Sequence, residues 1–414
     1  MTLGIPGPDE IGRQFRMPAG PFVYTGVPAP SRASTVVTPF TNRQRLRVHE
    51  IDGVRGWAAL SVLLYHFFWL LLGNTLTLAR SPELHFWLNG PLAVYIFFVL
   101  SGDALSWPFV STGDTLLLDK TVLKRYFRLA IPIFYSSAIV YLLMRAHLMF
   151  NREAAPIVGS SWLGGFLSFS PSALSLVNFS FSRVFLDFAA YPNSYNRFLW
   201  PMPVELVGSF LVFGFCYSIA RRHRALHLTL AAALITLSLS EYFSLFFAGL
   251  CFALLRQRGV FDRLRASAFG RFGAPALIVA AIAIDTIDST SRLFLNDRAP
   301  IEGRLYSILA IVIVFGIYSN GGLVHFFGNR VSRWLGTVSF PIYLLHFAVM
   351  CSLTSFLLLE TTGRGGPGIY TAIATISILV TLAAAWGFEK LERYSLRRID
   401  HVLGSLLGPP LTHG

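Results

Sequence analysis

The stretch from Ile369 to Phe388, IYTAIATISILVTLAAAWGF, runs for 20 residues without a charged side chain, between Arg364 on one side and Glu389 and Lys390 on the other. About 20 mainly apolar residues are what a helix needs to cross the hydrocarbon core of a bilayer. Lipid offers no partner to backbone amides, so such a run is expected to be a membrane-spanning helix. Nine more apolar segments precede it, near 55–74, 86–108, 128–148, 199–219, 225–240, 241–255, 274–291, 304–320 and 335–358. The expected fold is all-α, a polytopic integral membrane protein with about ten transmembrane helices. The fifth and sixth segments are short and meet at Ser240 and Glu241, so eight crossings plus a buried hairpin is the alternative.

Composition agrees. Hydrophobic residues make up 54% of the 414 positions and charged residues 13%, about half the charged share of a soluble chain. No large soluble domain fits beside so many crossings. The expected organisation is a flexible cytosolic tail over 1–45, a membrane domain over 46–400 and a cytosolic tail over 401–414. The N-terminal tail has no continuous apolar core, so the first membrane helix is expected to serve as the insertion signal. Cys216, Cys251 and Cys351 all lie inside apolar runs, without CxxC spacing, and are expected to pack rather than bind metal.

The formal charge is +13, from 34 Lys and Arg against 21 Asp and Glu. The basic residues sit in short loops between apolar runs, which fits membrane orientation and not nucleic-acid binding. With the N-terminus in the cytosol, 22 of them fall in inner segments and 8 in outer ones. Both termini are therefore expected to be cytosolic. The longest outer segment, about 149–198, is expected to carry a short interfacial or re-entrant helix, and it holds the sequon Asn178-Phe179-Ser180, which would face the lumen.

Ionisable side chains within membrane segments are costly, so each needs an account. At 1.5 Å per residue His66 lies roughly 16 Å beyond Arg55, near the bilayer midplane, and His346 is about as deep. Either histidine can be a buried imidazole tying helices together, or a proton acceptor, since an imidazole of ordinary pKa about 6.5 suits a hydroxyl proton at neutral pH. The sequence leaves both readings open. Arg125 and Arg128 are three residues apart at an expected helix start, a pairing that suits a phosphate ligand and equally suits anchoring at the inner surface. Glu205 follows Pro201 and Pro203 at a helix start expected on the outer side. Asp52 precedes the first helix, where a carboxylate caps or pairs, and Asp103 lies within the second.

Six stretches together resemble the acyltransferase-three family of multi-pass membrane enzymes related to bacterial O-antigen and peptidoglycan O-acetylases. They are Glu50 to Ala59 ending in Tyr65-His66, Phe97 to Gly102, Arg125-Tyr126-Phe127-Arg128, Trp200 to Glu205, Ser339 to His346, and Phe388-Glu389-Lys390. The resemblance implies acyl transfer from a coenzyme A thioester, acetyl-CoA as the expected donor, to an acceptor hydroxyl, with no metal. It assigns His66 as the catalytic histidine and Arg125 and Arg128 as donor-binding. Glu205 and Asp52 are expected to share the catalytic site, and Tyr65, Asp103, Tyr343 and His346 to support it or touch substrate. Ser101-Gly102-Asp103-Ala104-Leu105-Ser106 looks like the eukaryotic, especially fungal, members, which implies the endoplasmic reticulum or another endomembrane. Pro201 and Pro203 depart from the serine-rich bacterial pattern. The competing reading is a proton-coupled transporter, but no repeat relates residues 50–220 to 230–400.

Overall fold

A computed structural model describes residues 48–189, 193–219, 225–295 and 302–406. The expected tail 1–45, the loop residues Arg221, Arg222, Arg224 and Arg298, and residues 407–414 lie outside the described residues. Among the described residues every regular element is helical. Ten main helices follow the ten apolar segments: α1 His49–Leu64, α2 Gly90–Thr112, α3 Thr115–Arg145, α4 Met202–Ile219, α5 Ala225–Leu239, α6 Glu241–Gln257, α7 Ala274–Leu295, α8 Glu302–Ser319, α9 Arg330–Val349 and α10 Pro367–Leu406.

Among the described residues seven helices are long and apolar enough to span a membrane, and nine if each of two bent pairs counts as one span. Those pairs break where α6 turns by 73° into Val260–Ala266 and α8 turns by 98° into Gly321–Phe327. Helix α5 is a shorter apolar helix. Large apolar side chains such as Leu234, Val279, Ile287 and Leu379 are exposed on the outer faces, as lipid contact requires.

Small residues let the helices that build the site approach backbone to backbone. A Cβ on Gly53 would stand 1.8 Å from the Phe327 carbonyl oxygen, and one on Gly336 would stand 2.3 Å from that of Asp52. The same holds for α2 and α6, where a Cβ on Gly102 would lie 2.0 Å from the Phe246 oxygen and one on Gly249 2.0 Å from the Val99 oxygen. Lipid gives no hydrophobic drive to helix association, so close packing of this kind supplies it. It also presses the start of α1 against α9.

The segment after α3 is a folded cap built of several short helices, among them Asn151–Ala154, Ser161–Gly164 and Ala173–Asn178. It is tied to α9 by the Asn196 amide, which donates to the Leu344 carbonyl at 3.1 Å. Asn178 is half-buried, and Phe179 and Ser180 of its sequon are fully buried.

Candidate active site

A cavity of about 560 Å³ opens between α1, α2, α3, α4, α9 and α10. Its wall carries four arginines, Arg55, Arg125, Arg128 and Arg393, and four carboxylates, Asp52, Glu205, Glu389 and Glu392. A chain of polar contacts crosses four helices at its floor. The Arg55 Nη2 donates to Ser101 Oγ at 2.9 Å, and Ser101 Oγ donates to Glu205 Oε1 at 2.7 Å. Arg125 pairs with the same Glu205 oxygen through Nη2 and donates through Nε to Ser209 Oγ at 2.7 Å. Both partners of the Arg125–Glu205 pair are largely buried, with side chains 11% and 12% exposed.

Two expectations change here. Arg125 and Arg128 are not at a helix start, because α3 begins at Thr115, where Asp114 accepts from the Leu116 amide and caps it. The two arginines also separate: Arg125 is turned inward onto Glu205 while Arg128 is exposed at the mouth. Glu205 stands in the first turn of α4, with Pro203 in the turn where a missing amide costs nothing. The chain runs down along α9 before α4 begins, so Glu205 meets Arg125 and, through Ser101, Arg55 near the start of α1.

His66 and His346 lie together beyond one wall of this cavity, and neither lines it. Their ring centroids are 4.8 Å apart. Helix α1 loosens into a π-helical turn over Tyr65–Leu71, and His66 is its second residue. Such turns often mark functional positions. The His66 Nδ1 lies 2.8 Å from the Val62 carbonyl oxygen, and His346 Nδ1 lies 3.0 Å from that of Ile342. A carbonyl has no proton to give, so each Nδ1 carries the hydrogen and each neutral ring keeps its lone pair on Nε2. His346 is fully buried, and its Nε2 has no hydrogen-bond partner among the described residues.

Aromatic rings enclose the pair. Phe198 stacks 4.0 Å from His66 and 4.8 Å from His346, and Trp162 of the cap lies 6.1 Å from His66. Tyr343 joins the two regions. Its side chain lines the cavity, its ring is 6.0 Å from His346, and its hydroxyl donates to the Phe198 carbonyl.

The remaining expected residues divide. Asp52 lines the cavity, in the first turn of α1. Tyr65 packs edge-on against His66 but turns toward Gly90, away from the cavity. Asp103 is fully buried elsewhere, paired with Arg256 through two bonds of 2.6 and 2.7 Å. Arg256 in turn lies over the rings of Trp107 and Tyr318. Asp103 is therefore a bridge between α2 and α6, and does not reach the cavity. Arg55, Ser101, Phe198 and Arg393 were missed as site residues. Arg55 and Ser101 stand inside the family-like stretches, while Arg393 reads in sequence as one more basic residue at an inner helix end.

Among the described residues no group of three or more His, Cys, Asp or Glu gathers as a metal site. No curated protein and no solved structure matches the chain significantly. A family model described as an acyltransferase domain, that of the acyltransferase-three family, matches residues 48–389. That span holds both histidines and six of the eight charged residues of the cavity wall, up to Glu389. With it the transporter reading falls away: the chain belongs to the acyltransferase-three family and is a multi-pass membrane acyltransferase.

Proposed function

We propose that this acyltransferase moves an acyl group, acetyl in the first instance, from acyl-CoA to the hydroxyl of a small-molecule, lipid or carbohydrate acceptor. The observation that carries the reading is the arginine-lined cavity whose wall residue Tyr343 packs directly on the His66–His346 pair. The cavity gathers side chains from the parts of α1, α3 and α10 that carry the excess of basic residues, the side expected in the cytosol, where coenzyme A is found. Its guanidiniums suit phosphate.

The thioester then has to pass Tyr343 and Phe198 to reach His66. There the Nε2 lone pair of His66 takes the proton of the acceptor hydroxyl as that oxygen attacks the thioester carbonyl. The new C–O bond forms, the C–S bond breaks, and the proton leaves His66 for the coenzyme A thiolate. The Val62 carbonyl holds the ring in the tautomer this step needs. A general base contributes roughly 10²- to 10⁴-fold. Tyr65 and the Trp162 and Phe198 rings shape the place of the acceptor, and an endomembrane such as the endoplasmic reticulum is the proposed location.

The test is acetyl-CoA carrying a labelled acetyl group, given to the purified protein in vesicles together with a metabolite extract. Label should pass into an extract component with the wild type and fail to pass with His66→Gln. Equal transfer by the two proteins overturns the assignment of His66, and no consumption of acetyl-CoA by the wild type overturns the donor.

A further inference from the structure

The α10 wall of the cavity carries Glu389, Glu392 and Arg393 within little more than one turn, and the chemistry at His66 uses none of them. Arg393 donates through Nε at 2.7 Å and through Nη2 to one oxygen of Glu389. The Arg393 side chain is 55% exposed. Glu392 interacts electrostatically with Arg128 of α3. Four arginines and four carboxylates give the wall balanced formal charges. A phosphate-rich ligand gains most there where a guanidinium can be released from its own carboxylate.

The arginines differ in how easily they are released. Arg125 is held by Glu205 and Ser209 in a largely buried setting, where separating a pair strands a charge at high cost. Arg393 and Glu389 form an i,i+4 pair on a partly exposed helix face, and such pairs contribute little. A phosphate, with more charge and a matching fork of oxygens, displaces a carboxylate from that guanidinium.

We propose that Arg393 is a donor-binding residue, taking a phosphate of coenzyme A at the cavity mouth, and that Glu389 is the built-in counter-ion the phosphate displaces. This rests on acyl-CoA being the donor. The pair is then a competitive element: removing the arginine weakens donor binding, and neutralising the glutamate strengthens it. A pair that only stabilises α10 gives no such opposite signs.

The experiment is calorimetric binding of acetyl-CoA, and of S-acetylpantetheine as a probe without the nucleotide phosphates, to the purified full-length protein in detergent. Arg393→Ala is expected to weaken acetyl-CoA binding about tenfold, the scale of one charge-assisted hydrogen bond. Glu389→Gln should tighten it several-fold. Neither change should alter S-acetylpantetheine binding, and Arg397→Ala, on the same helix but outside the cavity wall, should leave acetyl-CoA binding unchanged. Thermal unfolding of each variant checks folding, and if Arg393→Ala proves unfolded, the sign of the Glu389→Gln effect decides. Wild-type affinity in Arg393→Ala, or weaker binding in Glu389→Gln, overturns the inference while leaving the donor reading intact. Absence of acetyl-CoA binding by the wild type overturns the donor reading itself.

Discussion

His66 on the π-helical turn after α1 and His346 on α9 stand with their rings 4.8 Å apart, each anchored through Nδ1 to a carbonyl four residues earlier in its own helix. The close packing of α1 on α9 at Gly56 and Gly336 brings them into contact. His66 and His346 are therefore not independent of one another, although 280 positions separate them in the sequence. The two rings form one unit, in which His346 is the fully buried member.

For that unit, His66→Gln and His66→Asn should fold with near-normal thermal midpoints and lose at least about 10²-fold in turnover, because an amide hydrogen-bonds but does not take the proton. His346→Gln should lose activity as well, to a smaller extent, since it alters the ring against which His66 rests. Turnover measured on purified variants decides. Near-normal activity in a folded His66→Gln protein would overturn the assignment of the base.

The helical class and the membrane setting were legible because apolar run length is a local property of the sequence, and the cost of buried charge singles out His66, Glu205 and Arg125 as candidates in the same local way. Partners were not. Nothing in the neighbourhood of Asp103 names Arg256, which is 153 residues away, and Arg393 looks like any basic residue at an inner helix end until α10 is seen to form a cavity wall. The exact number of crossings was not legible for a related reason. Apolarity marks α5 and the bent pairs as membrane material, but their length and bending are decided by the helices they pack against.

Tyr343 stands between the cavity and the histidines, on the proposed path of the thioester. Tyr343→Phe keeps the ring on His346 and removes the bond to the Phe198 carbonyl. Acetyl-CoA affinity should stay unchanged, because the arginines remain. Slow acetyl-CoA hydrolysis without acceptor should rise several-fold as the passage loosens. If hydrolysis is unchanged and only the thermal midpoint falls, Tyr343 is a packing residue alone.

Asp103 and Arg256 should behave as structure and not as chemistry. Asp103→Asn leaves Arg256 largely buried, with side-chain exposure of 13%, without its counter-charge, a loss of about 3–5 kcal/mol on the scale of broken buried pairs. Replacing both, as Asp103→Leu with Arg256→Met, should recover much of that stability. The recovered protein should retain the wild-type Michaelis constant for the donor. A raised constant in the stable double variant would place Asp103 or Arg256 in contact with substrate.

Arg125 and Arg128 should part company when each is replaced, although the sequence presents them as a matched pair. Arg125 is committed to Glu205 and Ser209 within the floor of the cavity, so Arg125→Ala leaves a buried carboxylate unpaired and should cost about 3 kcal/mol or more of stability. Glu205→Gln removes the other charge and should cost a similar amount, even though the amide oxygen still accepts from Ser101. Combining Glu205→Gln with Arg125→Met removes both charges together and should restore most of the thermal midpoint without restoring turnover. Arg128, exposed at the mouth, should give the opposite pattern. Arg128→Ala should leave the midpoint within a degree or two and raise the Michaelis constant for acetyl-CoA about tenfold, and Arg128→Lys should rescue only part, because an ammonium lacks the planar fork. Thermal unfolding and donor kinetics on the same preparations separate the two residues. An unchanged midpoint in Glu205→Gln would show that the Arg125–Glu205 pair does not hold the floor, and an unchanged constant in Arg128→Ala would reduce that arginine to a membrane anchor.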